Sequence, residues 1–426
     1  MTTEQLEGDP KAVLAELRRD EPVTWVPALG AWLVTRRDLA IAAMRDAEAF
    51  TVDDPRFTTA AVLGPSMLSL DGPEHERHRS PFAPAFRPGV LRENFEAFLD
   101  EQVADLIEAF GHRHTGAVVD GASGDGAVGH APVGHGAVGS GVGGRGVDGS
   151  GVGGMAGELR TGLAGPLAVN TITRFLGLEG VTADEVLGWY QSISAAITDL
   201  TLGRAIGDDD ASAVRTVHER VQATLDAQDS TSLLHAIEAS GALRPDEVGS
   251  AATVLMFGAI ETAEGMTANA FWHLLTTDGA WEALRRDRSL VAPAIEESVR
   301  HEPAAAVIDR YATRDVELGG VVIPAGDLVT ISLLGANHDP EHFDDPHTFD
   351  PRRANARQHV SFVQGPHGCI GLHLARMETA AAIRGMLDAA PDLVLDVSNS
   401  VGPSGLIFRK PAVLSARWST PSGGRR

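Results

Sequence analysis

The stretch Phe362–Arg376, FVQGPHGCIGLHLAR, contains Cys369, the single cysteine of a chain of 426 residues. Glycines stand at positions 365, 368 and 371, and His367 lies two residues before the thiol. After Gly371, apolar side chains recur every three or four positions, which predicts an amphipathic helix. The thiol therefore lies just before a helix N-terminus, where unpaired backbone N–H groups and the helix dipole favour a thiolate over a thiol.

A lone cysteine in such a loop has three interpretations. It can be a small buried hydrophobe, or a nucleophile with His367 as its base, although the local signatures of cysteine proteases are missing. It can also be a metal ligand, because the surrounding glycines let a flat ligand approach the backbone closely. A single thiolate presented by a glycine-rich loop is what axial ligation of haem iron requires, and this third interpretation is favoured.

Composition excludes several classes of protein. With 43% hydrophobic residues the chain can form a large core, and its net charge of −23 argues against bulk attraction to nucleic acid or to an anionic membrane. One cysteine excludes an intramolecular disulfide and any zinc site built on several thiolates. The N-terminal segment is acidic and polar, without an apolar signal core, which predicts a cytoplasmic protein with no membrane anchor.

The rest of the chain is mainly helical in pattern, with a small β content. Val23–Asp38 predicts two short strands around a turn, and the alternation in Asp315–Asp339 predicts a second strand region. Arg244–Thr277 predicts one helix of about 45 Å. Its middle is almost entirely apolar, yet Glu261 and Thr262 lie there.

Residues 113–157 are rich in glycine and repeat the words GAVG and GVGG. Ordering so many glycines costs entropy, and the segment cannot form a core, so it predicts a disordered surface insertion. The alternative is a repeat that binds a metal or a partner through four histidines in or beside it, His112, His114, His130 and His135.

The spacing Phe362-x-x-Gly365-x-His367-x-Cys369-x-Gly371 resembles the haem-binding signature of the cytochrome P450 family. Four further stretches, in the family's order, resemble its other motifs: DGPEHERHRSPFAPAF, GAIETA, IEESVRHEP and NHDPEHFDDPHTFDPRR.

The resemblance runs from about Glu21 to Trp418, with the glycine-rich insertion outside it. It implies a single large domain over residues 1–426 with the cytochrome P450 fold, mainly α with a small β region and a long central helix.

The third of these stretches carries Glu297 and Arg300 one helical turn apart. By resemblance they form a buried structural cluster with Arg353, to which Arg352 is adjacent. The alternative is an ordinary exposed helix pair, worth a few tenths of a kcal/mol.

By resemblance the cofactor is haem b, an iron protoporphyrin IX, with Cys369 as the iron ligand. The other cofactor-binding residues that the resemblance implies are His75, Arg79, Arg310, His367, Phe362 and Gly371. Buried propionates need cationic partners, and arginine suits them because it stays charged and binds carboxylates through two N–H groups. The alternative for the four basic side chains is scattered surface charge.

GAIETA resembles the family's oxygen-activation motif, with Glu261 as acid and Thr262 as alcohol in a proton relay. The alternative for Thr262 is a hydroxyl bonded to the carbonyl of Gly258, one turn earlier. Ala259 stands where the family commonly has glycine, and Ala263 where it commonly has a second hydroxyl; neither change removes the acid–alcohol pair.

The resemblance implies a haem-thiolate monooxygenase that inserts one oxygen atom from O2 into a small hydrophobic or amphipathic substrate, such as a natural-product intermediate. No G-x-G-x-x-G fingerprint follows a strand, so a ferredoxin and its reductase are expected as electron donors. The protein is also expected to be a monomer that binds neither nucleic acid nor membrane. The alternatives are another oxidation at the same iron (coupling, nitration or peroxide-driven), a haem-binding protein without turnover, and a helical scaffold without cofactor.

The substrate pocket implied by the resemblance lies above the haem and is largely apolar. Its expected walls are Thr58–Leu68, Val186–Arg204, Phe257–Thr262, Ala304–Ile308 and Ser404–Phe408.

Overall fold

A computed structural model of the chain describes residues 2–114, 154–178, 180–201, 205, 208–226 and 233–419. The α-helices are α1 (Thr3–Glu7), α2 (Lys11–Asp20), α3 (Arg37–Arg45), α4 (Thr58–Leu63), α5 (Gly72–Arg79), α6 (Pro88–His114), α7 (Gly165–Leu176), α8 (Ala183–Thr201), α9 (Asp208–Asp226), α10 (Leu233–Ala239), α11 (Pro245–Thr276), α12 (Ala280–Arg286), α13 (Val291–His301), α14 (Leu333–Asn337) and α15 (Leu372–Ala389). A π-helical turn, Arg160–Ala164, precedes α7.

The strands are β1 (Val23–Val26), β2 (Ala31–Val34), β3 (Phe50–Thr51), β4 (Gly154–Glu158), β5 (Val307–Ala312), β6 (Val316–Leu318), β7 (Val321–Ile323), β8 (Leu328–Ser332), β9 (Val394–Leu395), β10 (Val401–Ser404), β11 (Lys410–Val413) and β12 (Ser415–Ser419). The largest sheet has the order β1-β2-β8-β5-β3, in which only β2 and β8 are parallel. The mainly α fold class with a small β region is thereby confirmed.

The long central helix predicted at Arg244–Thr277 is α11, which has 32 residues and is about 48 Å long. Its start follows from the local sequence. Pro245 occupies the first helical position, where its missing N–H costs nothing. The Glu247 carboxylate accepts a hydrogen bond of 2.9 Å from the backbone N–H of Arg244. Nearly every side chain along the helix is buried, so α11 is the axis of the main core.

Glu297, Arg300 and Arg353 form the buried cluster that the resemblance implied. The Arg300 guanidinium donates to both carboxylate oxygens of Glu297, at 2.7 and 2.8 Å, and Arg353 Nε donates to the same carboxylate at 3.0 Å. The side chains of Glu297 and Arg300 have no exposed surface. The exposed-pair alternative is therefore wrong, and Arg353 rather than Arg352 is the third member. The cluster joins α13 to the loop that leads into the Phe362–Arg376 stretch.

Both predicted strand regions contain strands, but the second is only partly extended. Val23–Asp38 forms β1 and β2, joined through Gly30 at φ +59°. Asp315–Asp339 contains β6, β7 and β8, but its end forms the short helix α14, where Ser332 Oγ accepts from the Gly335 N–H at 2.9 Å.

The predicted insertion at residues 113–157 is too wide at both ends. Positions 113 and 114 belong to α6, and Gly154 begins β4, which pairs antiparallel with β12. A strand can form there because Met155 packs against the main core and its backbone pairs with that of Trp418. The remainder, residues 115–153, lies outside the described residues, including the predicted binding alternative at His130 and His135.

Candidate functional site

The loop before α15 holds Cys369 through short backbone hydrogen bonds. The Cys369 N–H donates to the Phe362 carbonyl at 2.8 Å, and the Gly368 N–H donates to the Gly365 carbonyl at 3.1 Å. Gly365 has a φ of +79°, and a Cβ at this position would lie 2.6 Å from the carbonyl oxygen of Met44. Only glycine fits both conditions, so the loop can turn tightly against α3.

The sulfur lies at the N-terminus of α15, as the sequence predicts. The backbone N–H groups of Gly371 and Leu372 lie close enough to the sulfur to lower the pKa of the thiol. Cys369 keeps some accessible surface, although protein encloses its thiol. Burial raises the pKa of the thiol and outweighs the two N–H groups and the nearby Arg79 guanidinium. The N–H groups at the helix start therefore act in the direction that the sequence analysis expects, and burial of the thiol opposes them.

Three of the four basic residues implied for the cofactor surround this loop. The rings of His75 and His367 lie 4.4 Å apart between centroids, and the Arg79 guanidinium donates to the Gly368 carbonyl at 2.6 Å. Burial, together with the charges of His367 and Arg79, lowers the pKa of His75 to about 4. Nε2 of His75 is buried and has no hydrogen-bond partner among the described residues, so a polar group of a ligand would satisfy it.

Arg310, on β5, is the fourth basic residue, and it is almost fully buried. Its guanidinium donates to the Asp309 carbonyl at 2.7 Å. Burial lowers the pKa of Arg310 to about 10, although Asp71 and Asp309 oppose the shift. A buried guanidinium without a bidentate carboxylate is costly, so this site favours an anionic ligand.

Asp71, immediately before α5, is a residue that the sequence analysis missed. Its carboxylate accepts from Thr51 Oγ1 at 2.6 Å, from the Val52 N–H at 2.9 Å and from His367 Nε2 at 2.7 Å. Burial works to raise its pKa, but these hydrogen bonds hold the pKa well below the usual range. Asp71 therefore fixes the ring of His367.

The acid and the alcohol of α11 have separate partners. The Thr262 hydroxyl donates to the Gly258 carbonyl at 2.5 Å, which is the alternative that the sequence analysis left open. Glu261 Oε1 lies 3.0 Å from the Lys410 ammonium, a partner that the sequence analysis missed. Burial raises the pKa of Glu261, and Lys410 opposes that shift. A buried carboxyl with a raised pKa can hold and release a proton.

The Phe362 ring is held by a third missed residue, Arg376. The Arg376 guanidinium lies 4.5 Å from the centroid of that ring and forms two hydrogen bonds with Glu296, at 2.6 and 2.9 Å. Arg376 follows Cys369 by seven residues, about two turns of helix, and this spacing was the available signal for it.

Some side chains of α11 and of the segment around Cys369 are only partly buried. Four residues on these elements pack against the main core yet keep accessible surface: Ala259, Phe362, Ile370 and Ala375. At Gly258 an added Cβ would meet nothing within 4 Å. Farther along, α11 is joined to α15 by a 2.9 Å hydrogen bond between the hydroxyls of Thr267 and Thr379.

Several of the expected substrate walls meet above α11. The Phe257 ring lies 6.0 Å from Tyr190 on α8 and 6.1 Å from Phe408, between centroids. The segment before β5 joins them, because Ala305 forms a β-bridge with Phe408. Positions 202–204 of the expected wall lie outside the described residues.

Comparison with known proteins places the chain in a family. The Cytochrome P450 family model matches residues 211–389. The chain is 30% identical to cytochrome P450 monooxygenase PikC of Streptomyces venezuelae, over 98% of this chain and 92% of that protein. The chain belongs to the cytochrome P450 family. P450 members bind haem b and use small-molecule substrates and redox partners, and the chain is a P450 monooxygenase.

Other P450 relatives agree with this assignment. Nocardicin C N-oxygenase of Nocardia uniformis subsp. tsuyamanensis is 30% identical, over 96% of this chain and 97% of that protein. 6-deoxyerythronolide B hydroxylase of Saccharopolyspora erythraea is 27% identical, over 90% and 89%. The crystal structure of CalO2 superimposes with a TM-score of 0.79 at 24% identity, over 97% of each chain, and confirms the P450 fold.

The P450 residues of this chain fit a haem. The thiol at the N-terminus of α15, the unpartnered Nε2 of His75, the buried guanidinium of Arg310 and the open space at Gly258 are the features that a flat, dianionic iron porphyrin needs. Among the described helices, none combines the length and the apolar character that crossing a bilayer requires.

Proposed function

We propose that the chain inserts one oxygen atom from O2 into a small hydrophobic or amphipathic organic substrate, in the biosynthesis of a natural product. The other oxygen atom leaves as water, at the expense of two electrons and two protons. The observation that carries this proposal is the position of the Cys369 thiol just before α15, a helix that packs against α11, which bears the acid and the alcohol. The hydroxylase and oxygenase names of the relatives support the reaction class.

In this proposal Cys369 is the iron ligand, and Phe362 and Gly371 line the haem edge. Bound in this way, the haem supplies the activation of dioxygen. Arg79 and Arg310 neutralise its two propionates, His75 and His367 donate hydrogen bonds to them, and Asp71 holds the ring of His367 in place.

Glu261 holds the proton that the reaction consumes, and Thr262 lies next to it in α11. For the hydroxyl to take part it must release its 2.5 Å hydrogen bond to Gly258. The apolar rings around Phe257 exclude water from the substrate side and favour an apolar substrate.

The electrons come singly from a ferredoxin that its reductase reloads, and the protein acts as a cytoplasmic monomer. The lack of a dinucleotide fingerprint in the sequence, the single cysteine and the net charge of −23 support these assignments.

The test of the proposal combines ligand binding, isotope labelling and one variant. Candidate substrates are screened by the shift that they cause in the haem absorption band, and those that bind are turned over under 18O2. We expect one labelled oxygen atom per product. A product without the label would favour coupling or another oxidation instead.

The iron ligand is tested with the Cys369→Ser variant, checked for folding by far-ultraviolet circular dichroism. A folded Cys369→Ser protein that binds haem should lose the wild-type spectrum of the reduced, carbon-monoxide-treated form. An unchanged spectrum would contradict the thiolate bond. If the variant does not fold, the X-ray absorption spectrum of iron in the native holoenzyme gives the same information: it should contain a contribution from one bonded sulfur atom, and its absence would contradict the bond.

A further inference from the structure

The chain has only two lysines, Lys11 and Lys410, although Lys and Arg together number 35. Each lysine forms an ion pair with a buried glutamate: Lys11 with Glu302 at 3.1 Å and Lys410 with Glu261 at 3.0 Å. Lysine is a compact and titratable cation, whereas arginine stays charged at every working pH. A chain that uses arginine almost everywhere therefore has one of its two lysines beside the acid of its site.

Lys410 belongs to a row of four charged side chains of alternating sign. Its ammonium lies 3.0 Å from Glu261 and 2.9 Å from Glu264, and Arg160 lies 2.9 Å from the other oxygen of Glu264. The exposed fractions are 9% for Glu261, 7% for Glu264, 19% for Lys410 and 26% for Arg160. The row thus leads from the interior of the protein at α11 to its surface.

Backbone geometry brings these side chains together. Lys410 is the first residue of β11, which packs beside α11 at Gly265; a Cβ on Gly265 would lie 3.7 Å from the Lys410 Cβ. Arg160 comes from the π-helical turn and also donates to the carbonyl of Ala412, on the same strand, at 3.1 Å. The π-helical turn and β11 therefore pack against the same part of α11.

The charges around Glu261 come from three elements. Burial raises its pKa; Lys410 on β11 opposes this most strongly, Glu264 on α11 adds to it, and Arg160 on the π-helical turn opposes it weakly. Lys410 is thus the main group that keeps the carboxyl able to ionise.

We propose that Lys410 is the positioning residue of the acid: its ammonium holds the Glu261 carboxyl beside that of Glu264. Glu261 regains its proton from solvent along the partly exposed ion pair of Glu261 and Lys410. This inference rests on the proposed role of Glu261 as the proton donor. A proton that leaves the Glu261 carboxyl gives a carboxylate, which Lys410 stabilises until a proton from solvent replaces it. Lys11 has no such role and serves as the matched control.

The first experiment uses the low lysine count. Holoenzyme labelled with lysine carrying 13C at Cε, in its diamagnetic reduced and carbon-monoxide-bound form, should give two lysine signals, and Lys11→Arg assigns them. We expect the chemical shift of the Lys410 signal to follow the ionisation of Glu261, with an inflection at a pH above the usual range of a glutamate carboxyl. That inflection should be absent in Glu261→Gln. A Lys410 signal that is indifferent to Glu261→Gln overturns the proposal.

The second experiment measures oxygen consumption against pH for the holoenzyme supplied with ferredoxin, ferredoxin reductase and NADPH. Lys410→Met removes a cation that favours the carboxylate, so the pH inflection should move upward by roughly 1–3 units. Lys11→Met should leave the inflection in place, and Lys410→Arg should keep it close to the wild-type value. Identical profiles for the Lys410→Met and Lys11→Met variants contradict the inference.

Glu261→Gln separates this inference from the proposed function. If Glu261→Gln consumes oxygen with the wild-type pH profile, the acid itself is wrongly assigned. If Glu261→Gln lacks the pH inflection of oxygen consumption while Lys410→Met keeps it at the wild-type pH, the role of Glu261 stands and only the role of Lys410 fails.

Discussion

Replacing Gly365 by alanine should destabilise the protein through two separable effects. The φ of +79° at this position costs an alanine about 1–2 kcal/mol relative to glycine. The new methyl group would also lie 2.6 Å from the Met44 carbonyl oxygen, and relieving such an overlap costs about 1–3 kcal/mol. We therefore expect a total loss of about 2–5 kcal/mol in the free energy of unfolding, because the backbone atom in the way cannot rotate aside.

Urea unfolding of the holoprotein, followed by far-ultraviolet circular dichroism, measures this loss, and haem absorbance reports whether the cysteine loop still binds its cofactor. The matched control is Gly30→Ala. Gly30 has a φ of +59° with nothing within 4 Å of an added Cβ, so it carries only the first effect. Equal losses in the two variants would refute the contact with Met44, and a wild-type midpoint for Gly365→Ala would refute the whole argument.

Two further predictions concern buried charge. Glu297→Gln leaves Arg300 buried without its carboxylate and should lower the free energy of unfolding by about 3–5 kcal/mol. The control Arg19→Met breaks an exposed pair with Asp20 and should change the urea midpoint little. Similar shifts of the midpoint in both variants would contradict this prediction. Burial lowers the pKa of His301 to about 4, so the unfolded chain takes up that proton first as the pH falls below about 6.5. His301 should therefore lower the free energy of unfolding by about 2 kcal/mol between about pH 7 and pH 5. In His301→Gln the free energy of unfolding should depend less on pH over this range. An unchanged dependence would show that His301 is already charged in the folded protein.

The sequence predicts best where the determinants are local. The helix that begins after Gly371 and the long α11 follow from apolar periodicity and from residues at the helix start, all within a few positions of one another. The position of Cys369 at a helix N-terminus is local in the same sense, and two N–H groups there lower the pKa of the thiol as expected. Burial of the thiol is a property of the whole fold, so the direction of its pKa could not be predicted from the loop.

Apart from Arg376, the features that the sequence analysis missed depend on pairs that are distant in the chain. β4 forms because β12, about 260 residues later, offers it a partner, and no periodicity in a glycine-rich stretch reveals that. Lys410 and Asp71 likewise pair with residues that are distant in the chain, Glu261 and His367. The scarcity of lysine was a signal for Lys410, whereas Asp71 had none beyond its position before a helix.

The two lysines also have a practical consequence. Reagents that acylate side-chain amines find only Lys11 and Lys410, and both ammonium groups are held in ion pairs with glutamates. Amine-directed attachment to an electrode or a resin would therefore either proceed slowly or disturb the charge row on α11. Tethering through an introduced surface thiol has the opposite property, because the one natural thiol is enclosed by protein.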